Sequence, residues 1–128
     1  MILPLLAAAA LSGCTVHDGD GIRCGPSGAG QKSEKIRVAN IDAPEVKGSP
    51  RCSASQVRRL RYSKNPPWCD FALGERSRQA LQAFLLTGPL VIERRGTDRY
   101  GRALATLSVN GQDAGQMLIS LGLARRWR

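Results

Sequence analysis

Pro44 is the residue that most limits how this chain can fold. The run Lys35-Ile36-Arg37-Val38-Ala39-Asn40-Ile41 alternates like a β-strand, with Ile36, Val38 and Asn40 toward one face and Arg37, Ala39 and Ile41 toward the other. Proline has no N–H to give to a ladder and holds Ala43 extended, so the strand is expected to stop near Asp42. Its exit gathers Arg37, Asp42 and Glu45, and an ordinary structural strand seldom places charge at both faces of one end. These residues mark a candidate site.

Two other stretches supply matching chemistry. Thr15 to Cys24 reads as two short strands around Asp-Gly, a strong hairpin signal, with Asp18 and Asp20 at the tip. Thr97 to Arg102 is a further turn that ends in arginine. In chain order the three read D-G-D, then R-x-x-x-x-D-x-P-E, then D-R-Y-G-R. Together they resemble the staphylococcal nuclease (thermonuclease) family, over nearly the whole chain from about Cys14 to Trp127. Three ordered motifs are far more specific than any one of them, since an isolated Asp-Gly-Asp is usually only a turn.

With 128 residues the chain has room for one domain and one modest core. Nineteen Lys and Arg against ten Asp and Glu leave a formal charge of +9, which favours a polyanionic partner, either nucleic acid or an anionic membrane surface. Arginine heavily outnumbers lysine, and its planar fork suits phosphate oxygens.

Cys14, Cys24, Cys52 and Cys69 contain no C-x-x-C pair, which argues against a zinc ribbon. An even count behind an apolar start favours disulfides in an oxidising compartment. Of three connectivities, Cys14–Cys24 across the hairpin with Cys52–Cys69 across the long loop is preferred; the latter closure is worth roughly 3 kcal/mol in the chain-entropy model. Segment 1–13 is apolar but too short to span a bilayer. It resembles the apolar part of a signal peptide, although the usual basic start is missing, and Leu11-Ser12-Gly13-Cys14 also resembles a lipoprotein cleavage box. A third reading makes it the start of the first core strand. A secreted or periplasmic protein is preferred over lipid anchoring through Cys14.

Domain 14–128 is expected to continue with a Gly/Ser-rich loop from Cys24 to Ser33, then the strand ending at Pro44. Residues 46–70 form a long, basic, proline-containing loop, with a helical turn expected at Gln56 to Tyr62. Asp70 caps a helix running to about Thr87, with Leu81, Phe84 and Leu85 inward. Strands follow at Leu90 to Arg94 and Arg102 to Val109, Asn110-Gly111 turns the chain, and Asp113 to Leu121 forms a short helix with Met117, Leu118 and Leu121 inward. Element order alone gives α+β. The resemblance implies an OB-fold, a five-stranded Greek-key β-barrel with two to three helices.

The resemblance also implies Ca²⁺, held by Asp20, Asp42 and the backbone carbonyl of Ala43, with Asp18 supporting from outside the ligand shell. Hard carboxylate oxygens suit that ion. An EF-hand is excluded, because the acidic alternation fails at Ile22 and Ala29 stands where its glutamate belongs. Glu45 takes the part of general base, Arg37 and Arg102 that of the two catalytic arginines, and Arg99 with Tyr100 that of the substrate-binding pair. Arg58, Arg59, Arg61, Arg94, Arg95, Arg125, Arg126 and Arg128 are expected to add an electrostatic path. His17, Trp68 and Trp127 read as an exposed residue and two packing residues.

The sequence departs from the family where threonines are common, carrying Gly21 and Ala43 instead, and it reaches Arg128 without the C-terminal helix of the best-known member. None of these changes removes a charged group that phosphodiester hydrolysis needs. The expected activity is Ca²⁺-dependent cleavage of DNA and RNA, with single strands or frayed ends preferred and the protein acting as a monomer. The rival readings are a non-catalytic nucleic-acid-binding module and a cationic envelope lipoprotein.

Overall fold

The computed structural model describes residues 13–25 and 33–128. The apolar start and most of the Gly/Ser-rich loop therefore lie outside the described residues. The hairpin forms as the sequence indicates: β1 (Cys14–Asp18) pairs antiparallel with β2 (Gly21–Cys24), with Cys14 opposite Cys24 and a disulfide joining them. β2 in turn pairs with β3 (Glu34–Val38), where Ile36 and Val38 face the core.

The strand does not run unbroken to Asp42. Asn40 adopts a left-handed backbone with φ 72, a conformation asparagine tolerates better than most residues. The alternation slips there, so Asn40 is exposed and Ile41 turns into the core, the reverse of the expected facing. The chain resumes as β4 (Ile41–Asp42) and pairs with β8 (Arg125–Arg126) in a separate two-stranded ribbon.

The 46–70 connection is more ordered than its sequence indicates. A 3-10 turn at Pro50–Cys52 leads into α1 (Ala54–Leu60), which begins two residues before the expected helical turn because Ser53 caps it, accepting from the Gln56 N–H at 3.3 Å. A second disulfide joins Cys52 to Cys69. Helix α2 (Phe71–Leu85) starts at the Asp70 cap and buries Gly74, Ser77, Leu81 and Leu85. Two of its contacts place the site. A Cβ on Gly74 would meet the Glu45 carbonyl oxygen at 2.1 Å, and one on Gly19 would meet Ser77 Oγ at 2.0 Å. Glycine at both positions lets the helix seat against the Glu45 loop and the hairpin tip.

β5 (Leu90–Thr97) and β6 (Ala103–Val109) pair antiparallel, with a register shift between Arg94 and Gly96. β6 buries Ala103, Ala105, Leu107 and Val109, then turns back as β7 (Gln112–Asp113). Asp113 caps α3 (Ala114–Ser120). Leu118 is buried, but Leu121 is exposed, contrary to expectation: the helix stops at Ser120, Gly122 takes φ 71, and Leu123 bonds back to the Leu118 carbonyl and enters the core instead.

The main sheet has the order β1-β2-β3-β6-β5, with β3 and β6 parallel and β7 attached to β6. The α+β class with three helices stands. The closed five-stranded Greek-key barrel is not found, because β1 and β5 do not pair among the described residues. The break at Asn40 contributes, since it diverts β4 from the main sheet onto β8. Among the described residues no helix is long and apolar enough to cross a membrane.

Candidate functional site

The hairpin tip, the exit of β3 and the β5–β6 turn converge. Asp18, Asp20, Arg37, Asp42, Glu45, Arg99, Tyr100 and Arg102 all line one cavity of about 480 Å³. Residues spread over more than eighty positions therefore face a single space.

Arg37 is the hub. Its Nη1 donates to the carbonyls of Val38 at 2.7 Å and Ile41 at 3.0 Å, holding the turn at Asn40. Its Nη2 lies 3.6 Å from Asp20 Oδ2 and 3.9 Å from Asp42 Oδ1. The Trp127 ring supports the guanidinium at 5.1 Å, so this tryptophan does more than fill space. Asp20 Oδ2 also accepts from the Ala43 N–H at 2.8 Å, which ties the hairpin tip to the β4 exit. Asp42, 2 % exposed, accepts from Arg125 Nε at 2.9 Å and Nη2 at 2.7 Å. Arg125 also donates to the Pro66 carbonyl and lies 5.1 Å above the Trp68 ring.

Glu45 is steered from the long connection. Ser49 Oγ donates to its Oε1 at 2.7 Å, and Arg51 Nε lies 3.9 Å from Oε2. Arg51 also donates to the Asn65 carbonyl. Asp98 accepts from the Arg102 backbone at 2.9 Å and from Arg102 Nε at 2.7 Å, leaving the outer guanidinium nitrogens without a hydrogen bond among the described residues; Arg102 also lines the cavity. Arg99 and Arg102 stack at 5.2 and 5.7 Å on Tyr100, which is largely exposed.

Several predicted residues fall elsewhere. Arg94 is paired with Glu34 and Arg95 with Glu93, and neither lines the cavity. Arg125 holds Asp42 and does not line the cavity. Sequence reasoning missed Ser49, Arg51 and the Arg125–Asp42 pair. The first two lie within six residues of Glu45 but carry no motif, and the pair is separated by 83 positions.

The carboxyls are crowded. Burial, with the Asp20 carboxylate beside it, pushes Asp18 up to about 8. Burial likewise raises Asp42, against the pull of the Arg125 hydrogen bonds, and raises Glu45, where Ser49 opposes and Asp20 and Asp42 add to the effect. Such crowding suits a bound cation, which would favour the ionised forms. Two carboxylate oxygens, Asp20 Oδ1 and Asp42 Oδ1, accept no hydrogen bond among the described residues and are hard donors of the kind that Ca²⁺ takes, with Arg37 Nη2 within ion-pair range of both carboxylates. No group of three Asp, Glu, His or Cys side chains is placed to hold a metal among the described residues.

The raised Asp18 carries a stability consequence. Its folded pKa lies above its unfolded value of 3.8, so without metal it weakens the fold progressively as pH rises from about 4 to 8. Asp18→Asn keeps an oxygen for the Asp20 N–H, now at 3.2 Å, and removes the charge. In chelator, this variant is expected to melt several degrees above the parent at pH 8 and level with it near pH 4. A thermal-melt series over that range checks both limits.

The family described as staphylococcal nuclease homologue matches residues 35–128. The chain is 32% identical over 106 residues to Protein ParB of Escherichia coli, covering 83% of this chain and 54% of that protein. It is 29% identical over 109 residues to an uncharacterized endonuclease of Haemophilus influenzae, covering 85% of this chain and 47% of that one. The chain thus spans about half the length of these curated relatives. Family membership implies an OB-fold, here with an open sheet among the described residues. On the matched span and the convergent charged residues, this chain belongs to the staphylococcal nuclease homologue family.

Proposed function

We propose that this protein is a Ca²⁺-dependent nuclease that hydrolyses phosphodiester bonds in DNA and RNA, preferring single strands or frayed ends. The observation that carries this reading is the single cavity lined by Asp18, Asp20, Asp42, Glu45, Arg37 and Arg102. Asp20 and Asp42 would hold the ion, with the Ala43 carbonyl as a further ligand and Asp18 behind them. When bound, Ca²⁺ supplies positive charge against a phosphate oxygen and the attacking water.

The chain's own residues do the rest. Glu45 removes a proton from that water, its carboxylate oriented by Ser49 and Arg51. The hydroxyl oxygen bonds to phosphorus as the P–O5′ bond breaks, and the departing 5′-oxygen takes up a proton from solvent water. Arg37 and Arg102 donate hydrogen bonds to the phosphoryl oxygens as negative charge builds there. Arg99 and Tyr100 engage the neighbouring phosphate and base, stacking being tolerant of sequence. The two disulfides suit an exported protein in an oxidising compartment, secreted or periplasmic. The chain acts as a monomer in this reading.

The test is release of acid-soluble nucleotides from single-stranded DNA by the oxidised protein. Release with Ca²⁺ and none with chelator is expected. Binding of the strand without cleavage under any divalent ion would overturn the nuclease reading and leave a nucleic-acid-binding module.

A further inference from the structure

A second cavity, of about 690 Å³, opens from the first. It shares Asp18, Glu45, Arg51, Arg99, Tyr100 and Arg102 with the site already described, then continues to Lys35 on β3 and to Gln56 and Arg59 on α1. Arg59 Nη2 donates to Gln56 Oε1 at 3.0 Å, which sets its direction without neutralising it. Neither Arg59 nor Lys35 has a carboxylate within salt-bridge distance among the described residues. Arg78, Arg94, Arg95 and Arg102 each have one. The groove thus extends from the phosphate site past two cations, Lys35 and Arg59, that have no carboxylate partner among the described residues, with Asp18 and Glu45 also in its lining.

The α1 wall is fixed before any ligand arrives. The Cys52–Cys69 disulfide ties its base, Arg51 donates to the Asn65 carbonyl, and the Asn65 side chain exchanges two hydrogen bonds with the Arg128 backbone at 2.9 and 2.8 Å. A wall ordered in advance costs little further entropy when a strand docks.

We propose that Arg59 and Lys35 form an additional phosphate subsite, which grips a single strand beyond the bond being cut. The inference rests on the nuclease reading for its substrate class. A strand lying along this groove passes through the cleavage site instead of ending there, so internal bonds of long strands are favoured over very short substrates. The subsite reads backbone charge alone and adds no base preference.

The experiment measures binding without turnover, in Glu45→Gln protein with Ca²⁺, using a twelve-nucleotide single strand and a dinucleotide as probes. Adding Arg59→Ala and Lys35→Ala is expected to raise the Kd for the long strand about tenfold and to flatten its log Kd against log salt slope by about 1.4, two phosphates at ~0.7 each. The dinucleotide Kd should stay within about twofold, as should the long-strand Kd of Arg59→Lys, whose charge is retained. Arg58→Ala, on the same helix but outside the groove, serves as the charge control. Unchanged affinity and slope for the long strand, an equal loss for the dinucleotide, or an equal loss from Arg58→Ala each overturns the subsite. An inactive parent enzyme that still binds the long strand through Arg59 and Lys35 overturns the nuclease reading alone.

Discussion

Glu45→Gln is expected to slow single-strand hydrolysis by about 10²- to 10⁴-fold, the usual contribution of a positioned general base. The substitution is nearly isosteric, and its amide oxygen can still accept from Ser49 Oγ, so the loop keeps its shape. Arg102→Lys tests the opposite wall. It keeps the charge and the backbone N–H to Asp98 but gives up the fork, and a loss of about 10²-fold is expected. Both losses should fall on kcat, with melting temperatures unchanged within about two degrees. Full activity in either variant removes that residue from the chemistry. Arg37 is a poorer probe. Its bonds to the Val38 and Ile41 carbonyls hold the turn at Asn40, so Arg37→Ala confounds lost catalysis with a loosened fold.

What is legible in the amino-acid sequence is local. Asp-Gly sets the hairpin, Asp70 sets the start of α2, and Pro44 sets the strand exit, each through a backbone bond made or forbidden within four residues. The three charged motifs also point to one place, and they do share a cavity. What stays hidden depends on side-chain contacts and helix ends that no residue pattern marks, whether near or far in the chain. The slip at Asn40 needs the carbonyls that Arg37 reaches, and the exchange of Leu121 for Leu123 needs a helix that stops one residue early. Ser49 and Arg51 look like ordinary loop polarity until the chain folds them over Glu45. Arg125 looks like one basic residue among several near the end of the sequence. No periodicity connects it to Asp42.

That pair supplies the second large effect. Asp42 is almost wholly buried, so Arg125→Ala leaves a carboxylate without its main partner. Breaking a fully buried pair costs about 3–5 kcal/mol; because the Arg125 side chain is 37% exposed, water tempers this, and about 2–3 kcal/mol is expected. The melting temperature in chelator should fall by about ten degrees. In an Asp42→Asn background the same substitution should cost under about 1 kcal/mol, since the charge that needed a partner is gone. Equal losses in both backgrounds would show that Arg125 acts through its packing on Trp68 and its bond to Pro66, and not through Asp42.

The 83-position separation of these partners also bears on when the site can be completed during synthesis. A chain still emerging from the ribosome displays both acidic motifs long before Arg125 is synthesised, and through that interval Asp42 lacks the guanidinium that orients it. Contacts so distant in sequence carry a larger loop-closure cost before they form. Under the proposed nuclease reading, competence to cut is thereby postponed until translation has passed Arg125, which shortens the time a partly made chain could attack RNA.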